Sequence, residues 1–346
     1  MNTMSRKAYL DYAKGIGAMC VIVGHMTTYP RGIRSAIYTF HIPLFFIITG
    51  ILFYYRPISK DFKSYAKGKV KRILLPAFFF ELVMYVWIII KNFIEPGYDL
   101  SGLVKRFFGI FLQIVDSDFC GNLWFFPTYF LAVLCMYFVL KLDKKSYPGL
   151  TVVLIGFSYV LAYILPELYL PWHIEIVPAC MGYMTLGYIL AGIYGNVKSN
   201  KKIYRVDIDL MNIIGGGIVW ILCYLLYGNH YDLYSHTFGN LILDTLMATA
   251  GTVVIIIACK YVDRSEMFPK CCKNVLNFIG QNSMEFYGVH AIMVGILNTI
   301  IRHFISEGVL YSWPGIFISL FSLMVSIVVD SIMICIYKKL YSKIVK

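Results

Sequence analysis

Charge is what this sequence has least of. Asp, Glu, Lys and Arg make up 14% of its 346 residues, against roughly 25% in a typical globular chain, and apolar residues make up 59%. So little charge excludes disordered, fibrous and ordinary soluble classes. There is no CxxC, no HxH and no HExxH, which leaves no metal-ligand spacing to argue from. The nine cysteines, Cys20, Cys120, Cys135, Cys180, Cys223, Cys259, Cys271, Cys272 and Cys335, are odd in number and mostly lie in apolar runs. They read as small apolar residues, not as a disulfide framework or a zinc site. No small-residue cleavage site follows the first apolar run, so it is not expected to be a removed signal peptide.

What is present is long apolar segments. They fall near 12–30, 36–55, 72–92, 122–140, 149–165, 174–194, 212–227, 241–259, 279–301 and 315–337. Each is close to the roughly 20 residues that cross a bilayer as a helix, and inside lipid only a helix satisfies its own backbone. A further run, 103–115, reads as a half-helix at the interface. The expected fold is an all-α polytopic membrane protein with about ten transmembrane helices, one domain over residues 1–346.

Basic residues set the orientation. Of 31 Lys and Arg, all but Arg31, Arg34, Lys91, Lys105, Arg106 and Arg302 fall in alternate loops, beginning with Arg6, Lys7 and Lys14 and ending with the C-terminal lysines. Strict alternation of 25 against 6 places both termini in the cytoplasm. It also removes nucleic acid as a partner, because the net charge of +12 is divided among six short loops with no aromatic-lined groove between them.

Ionisable groups inside spans are expensive and by default mark functional sites. Here they are Lys14, His25, His41, Glu81, Asp244, Glu285, His290 and Asp330, with Asp11 and Glu175 near span ends. Lys14 and His25 are eleven residues apart, so they share one stripe of a helix with about 16 Å of rise between them. Asp11, three residues before Lys14, can pair with it. The plainer alternatives are that Lys14 snorkels to the interface and His25 bonds a neighbouring helix. Pro43 should loosen the helix around His41 and free a carbonyl that the imidazole meets. Gly280 and Asn282 read as a helix start, with Asn282 or Ser283 as N-cap. Glu81, Asp244 and Asp330 are lone acids for which interhelical pairing is as good an account as chemistry. General-base chemistry or a proton-coupled path remain the two readings.

Several stretches resemble the membrane acyltransferase-3 family. They are Tyr9-Leu10-Asp11-Tyr12-Ala13-Lys14-Gly15-Ile16-Gly17 ending at Val23-Gly24-His25; Phe40-His41-Ile42-Pro43-Leu44-Phe45-Phe46-Ile47-Ile48-Thr49-Gly50; Lys69-Val70-Lys71-Arg72-Ile73-Leu74-Leu75-Pro76; Asn122-Leu123-Trp124-Phe125-Phe126-Pro127; and Ile279-Gly280-Gln281-Asn282-Ser283 through His290. The stretch from Leu170-Pro171-Trp172 to Leu186-Gly187-Tyr188 is similar to sugar O-acetylases related to fucose 4-O-acetylase. Together they cover essentially the whole chain. The sequence departs from the family at Thr49, usually Ser, and at Lys14, more often Arg; lysine lacks arginine's bidentate fork.

The resemblance implies a single ten-helix domain passing an acyl group, usually acetyl from cytoplasmic acetyl-CoA, to a cell-surface or lipid-linked carbohydrate. It implies His25 as base or acyl carrier, aided by Lys14, Asp11 and His41. Lys69 and Arg72 are expected on the CoA phosphates, and Trp124, Asn282, Glu285 and His290 around the substrate. No metal is expected. The outer segments Pro171-Trp172-His173 and Gly228 to His236 lack Lys and Arg and are aromatic; they suit either a sugar or the interfacial aromatic belt. A polysaccharide exporter of the same fold, or a succinyl transferase, are the rival readings.

Overall fold

The computed structural model describes residues 7–26, 31–94, 97–114, 117, 121, 123–142, 148–165, 168–200, 205–227, 232–235, 237–306, 309 and 313–344. Among them are fourteen α-helices: α1 (Ala8–His25), α2 (Arg31–Tyr38), α3 (His41–Tyr55), α4 (Phe62–Lys69), α5 (Leu75–Ile94), α6 (Leu100–Leu112), α7 (Phe125–Leu142), α8 (Pro148–Ile164), α9 (Val177–Asn200), α10 (Arg205–Tyr227), α11 (Leu241–Arg264), α12 (Lys270–Gln281), α13 (Ser283–Phe304) and α14 (Trp313–Ile344). A π turn, Val70–Leu74, joins α4 to α5, and a 3₁₀ turn, Pro171–Ile176, leads into α9. Among the described residues the only β pairing is an isolated bridge, Asp232 to Thr237.

Among the described residues, six helical stretches are long and apolar enough to cross a membrane: Gly32–Tyr55, Phe62–Phe93, Pro171–Tyr194, Leu241–Arg264, Ser283–Phe304 and Gly315–Lys339. Phe125–Lys141, Gly149–Ile164 and Met211–Tyr227 are shorter apolar helices. With α1, whose apolar run is interrupted by Asp11 and Lys14, every expected span has its helix. The chain is an all-α, multi-pass membrane protein. Large apolar side chains such as Phe93, Leu226, Phe317 and Phe321 are exposed, as a lipid-facing surface requires.

Three element boundaries differ from the sequence reading. Span 36–55 is broken at Thr39 and Phe40. Pro43 lies in the first turn of α3, where a missing N–H removes no helical bond, and the carbonyl that His41 meets is that of Ile37, on α2. Span 279–301 is broken at Asn282, between the amphipathic α12 and α13. There Asn282 occupies the N-cap position of α13 without capping it; its amide donates instead to Phe278 O, 2.6 Å, at the end of α12. The 103–115 run is the separate short helix α6, started by Asp99, whose carboxylate accepts from Gly102 N at 2.7 Å.

α1 is central, packing on α3, α11, α12 and α13. Glycine makes the closest approaches. A Cβ at Gly280 would lie 1.6 Å from Asp11 O, and one at Gly187 would lie 2.0 Å from Ile47 O. Small residues of this kind let backbones touch where lipid provides no hydrophobic drive.

Candidate active site

The site begins at the outer end of α1. The last carbonyls of a helix have no partner within it, and here both find one outside. Tyr38 OH donates to Gly24 O at 3.3 Å, and Asn298 Nδ2 donates to His25 O at 3.1 Å. α2 and α13 therefore hold the backbone of His25 from two sides. His25 is an exposed residue, and its ring lies 5.1 Å from the ring of the buried His290.

The hydrogen-bond network assigns the tautomers of the neighbours. His290 Nδ1 is 2.7 Å from Tyr287 O, and His41 Nδ1 is 2.9 Å from Ile37 O. A carbonyl accepts only, so each Nδ1 carries the hydrogen and each Nε2 keeps a lone pair when the ring is neutral. His25 is near enough to both for its charge to be felt by each. The structure thus brings His25, His41 and His290 together, along with Tyr38, whose ring is 4.9 Å from that of His41.

The other expected residues sit elsewhere. Lys14 pairs with Asp11 at 2.6 Å, as their spacing predicts, nearer the inner end of α1. Glu285 pairs with Lys338 at 3.3 Å, and Lys338 also donates to Asn282, so Glu285 and Asn282 form a second, inner group with α14. Lys69 immediately precedes the π turn and Arg72 lies within it, a feature that often marks functional sites. The Lys69 ammonium is 5.2 Å from the Tyr65 ring, and Arg72 is exposed.

Aromatic groups run from that turn to the histidines. Tyr65 and Tyr129 are electrostatic neighbours, and the buried Tyr65 hydroxyl has no hydrogen-bond partner. Tyr129 stacks on Phe125 at 5.4 Å, Phe125 lies 5.1 Å from Tyr287, and Tyr287 lies 5.4 Å from His290. Thr49 gives its only proton to Phe45 O at 2.7 Å. It therefore accepts from Tyr129 OH at 2.9 Å, which holds the ring in line.

On the outer side Trp124 packs on His173 at 5.1 Å and on Tyr234 at 5.7 Å. His173 Nδ1 lies 3.0 Å from Glu175 Oε1, with both side chains wholly buried. Trp172 and His173 have φ of 62° and 50°, strain of a kind that clusters at functional sites. Glu81 sets the Trp124 turn, accepting from Leu123 N at 2.5 Å and Gln113 Nε2 at 2.9 Å. In the outer loop, burial raises the Asp232 carboxyl above the usual range, while bonds from Tyr234 N and the Ser235 hydroxyl pull it back. His230 and His236 lie outside the described residues.

Comparison with known proteins decides the class. Residues 7–332 match the Acyl_transf_3 family model, described as an acyltransferase domain. The chain belongs to the Acyl_transf_3 family. It is 24% identical over 254 residues to the nodulation protein NolL of Mesorhizobium japonicum, an alignment covering 70% of this chain and 61% of that protein. The chain therefore spans less than two thirds of that relative. No solved structure matches it.

In this Acyl_transf_3 chain, sequence reasoning missed Arg34, Tyr38 and Asn298 at the histidines. Arg34 had been counted only as an outer-side charge. Its rarity on that side, and a tyrosine four residues later, were the signals available. Tyr65 and Tyr129 gave no signal beyond being aromatic.

Proposed function

We propose that this membrane acyltransferase moves an acyl group, acetyl in the first instance, from cytoplasmic acyl-CoA to a hydroxyl of a cell-surface or lipid-linked carbohydrate. The observation that carries the reading is the exposed His25 beside His290, held at the outer end of α1. His25 takes the proton from the acceptor hydroxyl. The oxygen then bonds to the acyl carbon, the carbon–sulfur bond breaks, and CoA leaves as the thiolate. If His25 carries the acyl group first, a ring nitrogen bonds to the acyl carbon as the carbon–sulfur bond breaks, and the acceptor oxygen then displaces that nitrogen, the hydroxyl proton passing to the freed imidazole. General-base assistance of this kind contributes about 10²–10⁴-fold.

The donor enters from the side with 25 of the 31 basic residues. Lys69 and Arg72 hold its phosphates, and the rings from Tyr65 to Tyr287 flank the way to His25. Lys14, fixed by Asp11 on the same helix stripe, adds a positive charge on the donor's side of His25. The acceptor meets the outer groups, where Trp124, His173 and Tyr234 pack together.

The test uses purified protein in nanodiscs with radiolabelled acetyl-CoA, following CoA release with and without a crude envelope glycan fraction. Glycan-dependent release should fall by at least 10²-fold in His25→Ala. A wild-type protein that neither binds nor consumes acetyl-CoA sinks the acetyl reading; succinyl-CoA is then the next donor. Glycan movement into sealed proteoliposomes without CoA release would establish the exporter instead.

A further inference from the structure

Outer loops of a membrane protein are normally short of Lys and Arg, so a basic residue there calls for a local reason. One of the six, Arg34, stands beside His25, and a second, Arg302, follows Asn298 by one helical turn. Arg34, on α2, is exposed, and its guanidinium is close enough to interact electrostatically with His25. Its Nη2 donates to Tyr38 OH at 3.3 Å, and its guanidinium carbon is 5.2 Å from the Tyr38 ring centroid. The same hydroxyl donates to Gly24 O, so one tyrosine ties the arginine to the helix end that carries His25. α2 is itself fixed to α10, by Tyr224 OH donating to Gly32 O at 3.0 Å and Trp220 Nε1 donating to Thr39 Oγ1 at 2.9 Å. Arg302, also exposed, is four residues beyond Asn298. It lies on the same face of α13 one turn outward from the amide that holds His25 O.

The acid near Arg34 is Asp232. Its oxygens already accept from Tyr234 N at 2.9 Å and Ser235 Oγ at 3.1 Å. The donor's phosphates lie on the opposite, lysine-rich side, about 16 Å of helix away from Lys14 to His25. An anion reaching Arg34 and Arg302 therefore comes with the acceptor.

We infer that Arg34 and Arg302 clamp an anionic group of the acceptor, a carboxylate or a phosphate close to the hydroxyl that is acylated. The inference rests on the acyltransferase reading for its role, but anion binding is measurable without turnover. A guanidinium suits either group because its planar fork matches two oxygens at once.

The experiment uses the full chain in nanodiscs, as wild type, Arg34→Gln, Arg34→Lys and Arg302→Gln. Binding of radiolabelled inorganic phosphate and of glucuronate is read first, without acetyl-CoA and with maltose as the neutral control. Glycan-dependent CoA release is then titrated with the same three compounds. Phosphate or glucuronate should bind and compete with the glycan, and maltose should do neither; the stronger of the two identifies the source of the charge. Arg34→Gln should raise KM for the glycan at least tenfold and abolish anion competition, with KM for acetyl-CoA unchanged. Arg34→Lys should recover part of both, which excludes misfolding as the cause, and Arg302→Gln should weaken anion binding and raise KM for the glycan in the same direction as Arg34→Gln.

The clamp is overturned if neither anion binds the wild type, or if both bind Arg34→Gln as well. It is also overturned if Arg34→Gln lowers kcat with an unchanged KM for the glycan. Anion binding that depends on Arg34, in a protein that never consumes acyl-CoA, leaves the clamp standing and removes the acyltransferase reading.

Discussion

Single hydroxyls and carboxylates hold this site in place. Tyr38 OH serves both Gly24 O and Arg34, so Tyr38→Phe should cost about 1 kcal/mol of stability and lower CoA release, while the ring stays against His41. Unchanged turnover with a shifted Tm would show that the hydroxyl holds the fold and not the base. Glu81 is more exposed to damage by substitution. Glu81→Ala leaves two buried donors, Leu123 N and Gln113 Nε2, without partners, at about 1–3 kcal/mol each. A Tm close to wild type would sink that account. The Lys14–Asp11 pair was legible because helical spacing alone brings those residues together. The partners of Glu81, 32 and 42 residues away, were not, because only the fold brings them near.

At the scale of elements, the apolar pattern located every span but not the breaks inside two of them. Hydropathy carries no record of a side chain such as Asn282, whose amide closes the end of α12 and whose oxygen accepts from Lys338. Nor does it show which glycines are crossings. Gly280→Ala would drive a methyl into Asp11 O, and overpacking of that kind costs about 1–3 kcal/mol or more. It should lower Tm and CoA release together, by displacing α1 and its Lys14–Asp11 pair. Gly217→Ala, also on a membrane helix but with nothing within 4 Å of the new methyl, should be neutral or stabilising. Equal effects from the two would refute the close crossing.

For the whole molecule, composition sufficed for the class, and each of the ten apolar runs has its helix; loop charge alone argues the orientation. The orientation is testable at α12. Cys271 and Cys272 are exposed in the first turn of α12, which the loop charge assigns to the cytoplasmic side. A membrane-impermeant maleimide should modify them in inside-out vesicles and not in right-side-out ones. A hydrogen bond with the Cys271 thiol holds Cys272 above the usual thiol range. Because the thiolate is the reacting form, modification of Cys272 should quicken as the pH rises through that range. Labelling from the outer side would invert the topology, and with it the assignment of donor and acceptor faces.

The proposed function has one substrate arriving from each side of a bilayer, and polar groups at several depths invite leakage of protons down the electrochemical gradient. The tautomers fixed at His41 and His290 oppose that. Handing a proton across an imidazole takes both ring nitrogens, and in each of these rings Nδ1–H is committed to a carbonyl of the chain. A proton that arrives at Nε2 must leave from Nε2. The two rings beside His25 can lend and recover protons at Nε2, but neither relays a proton from one ring nitrogen to the other while Nδ1–H stays on its carbonyl.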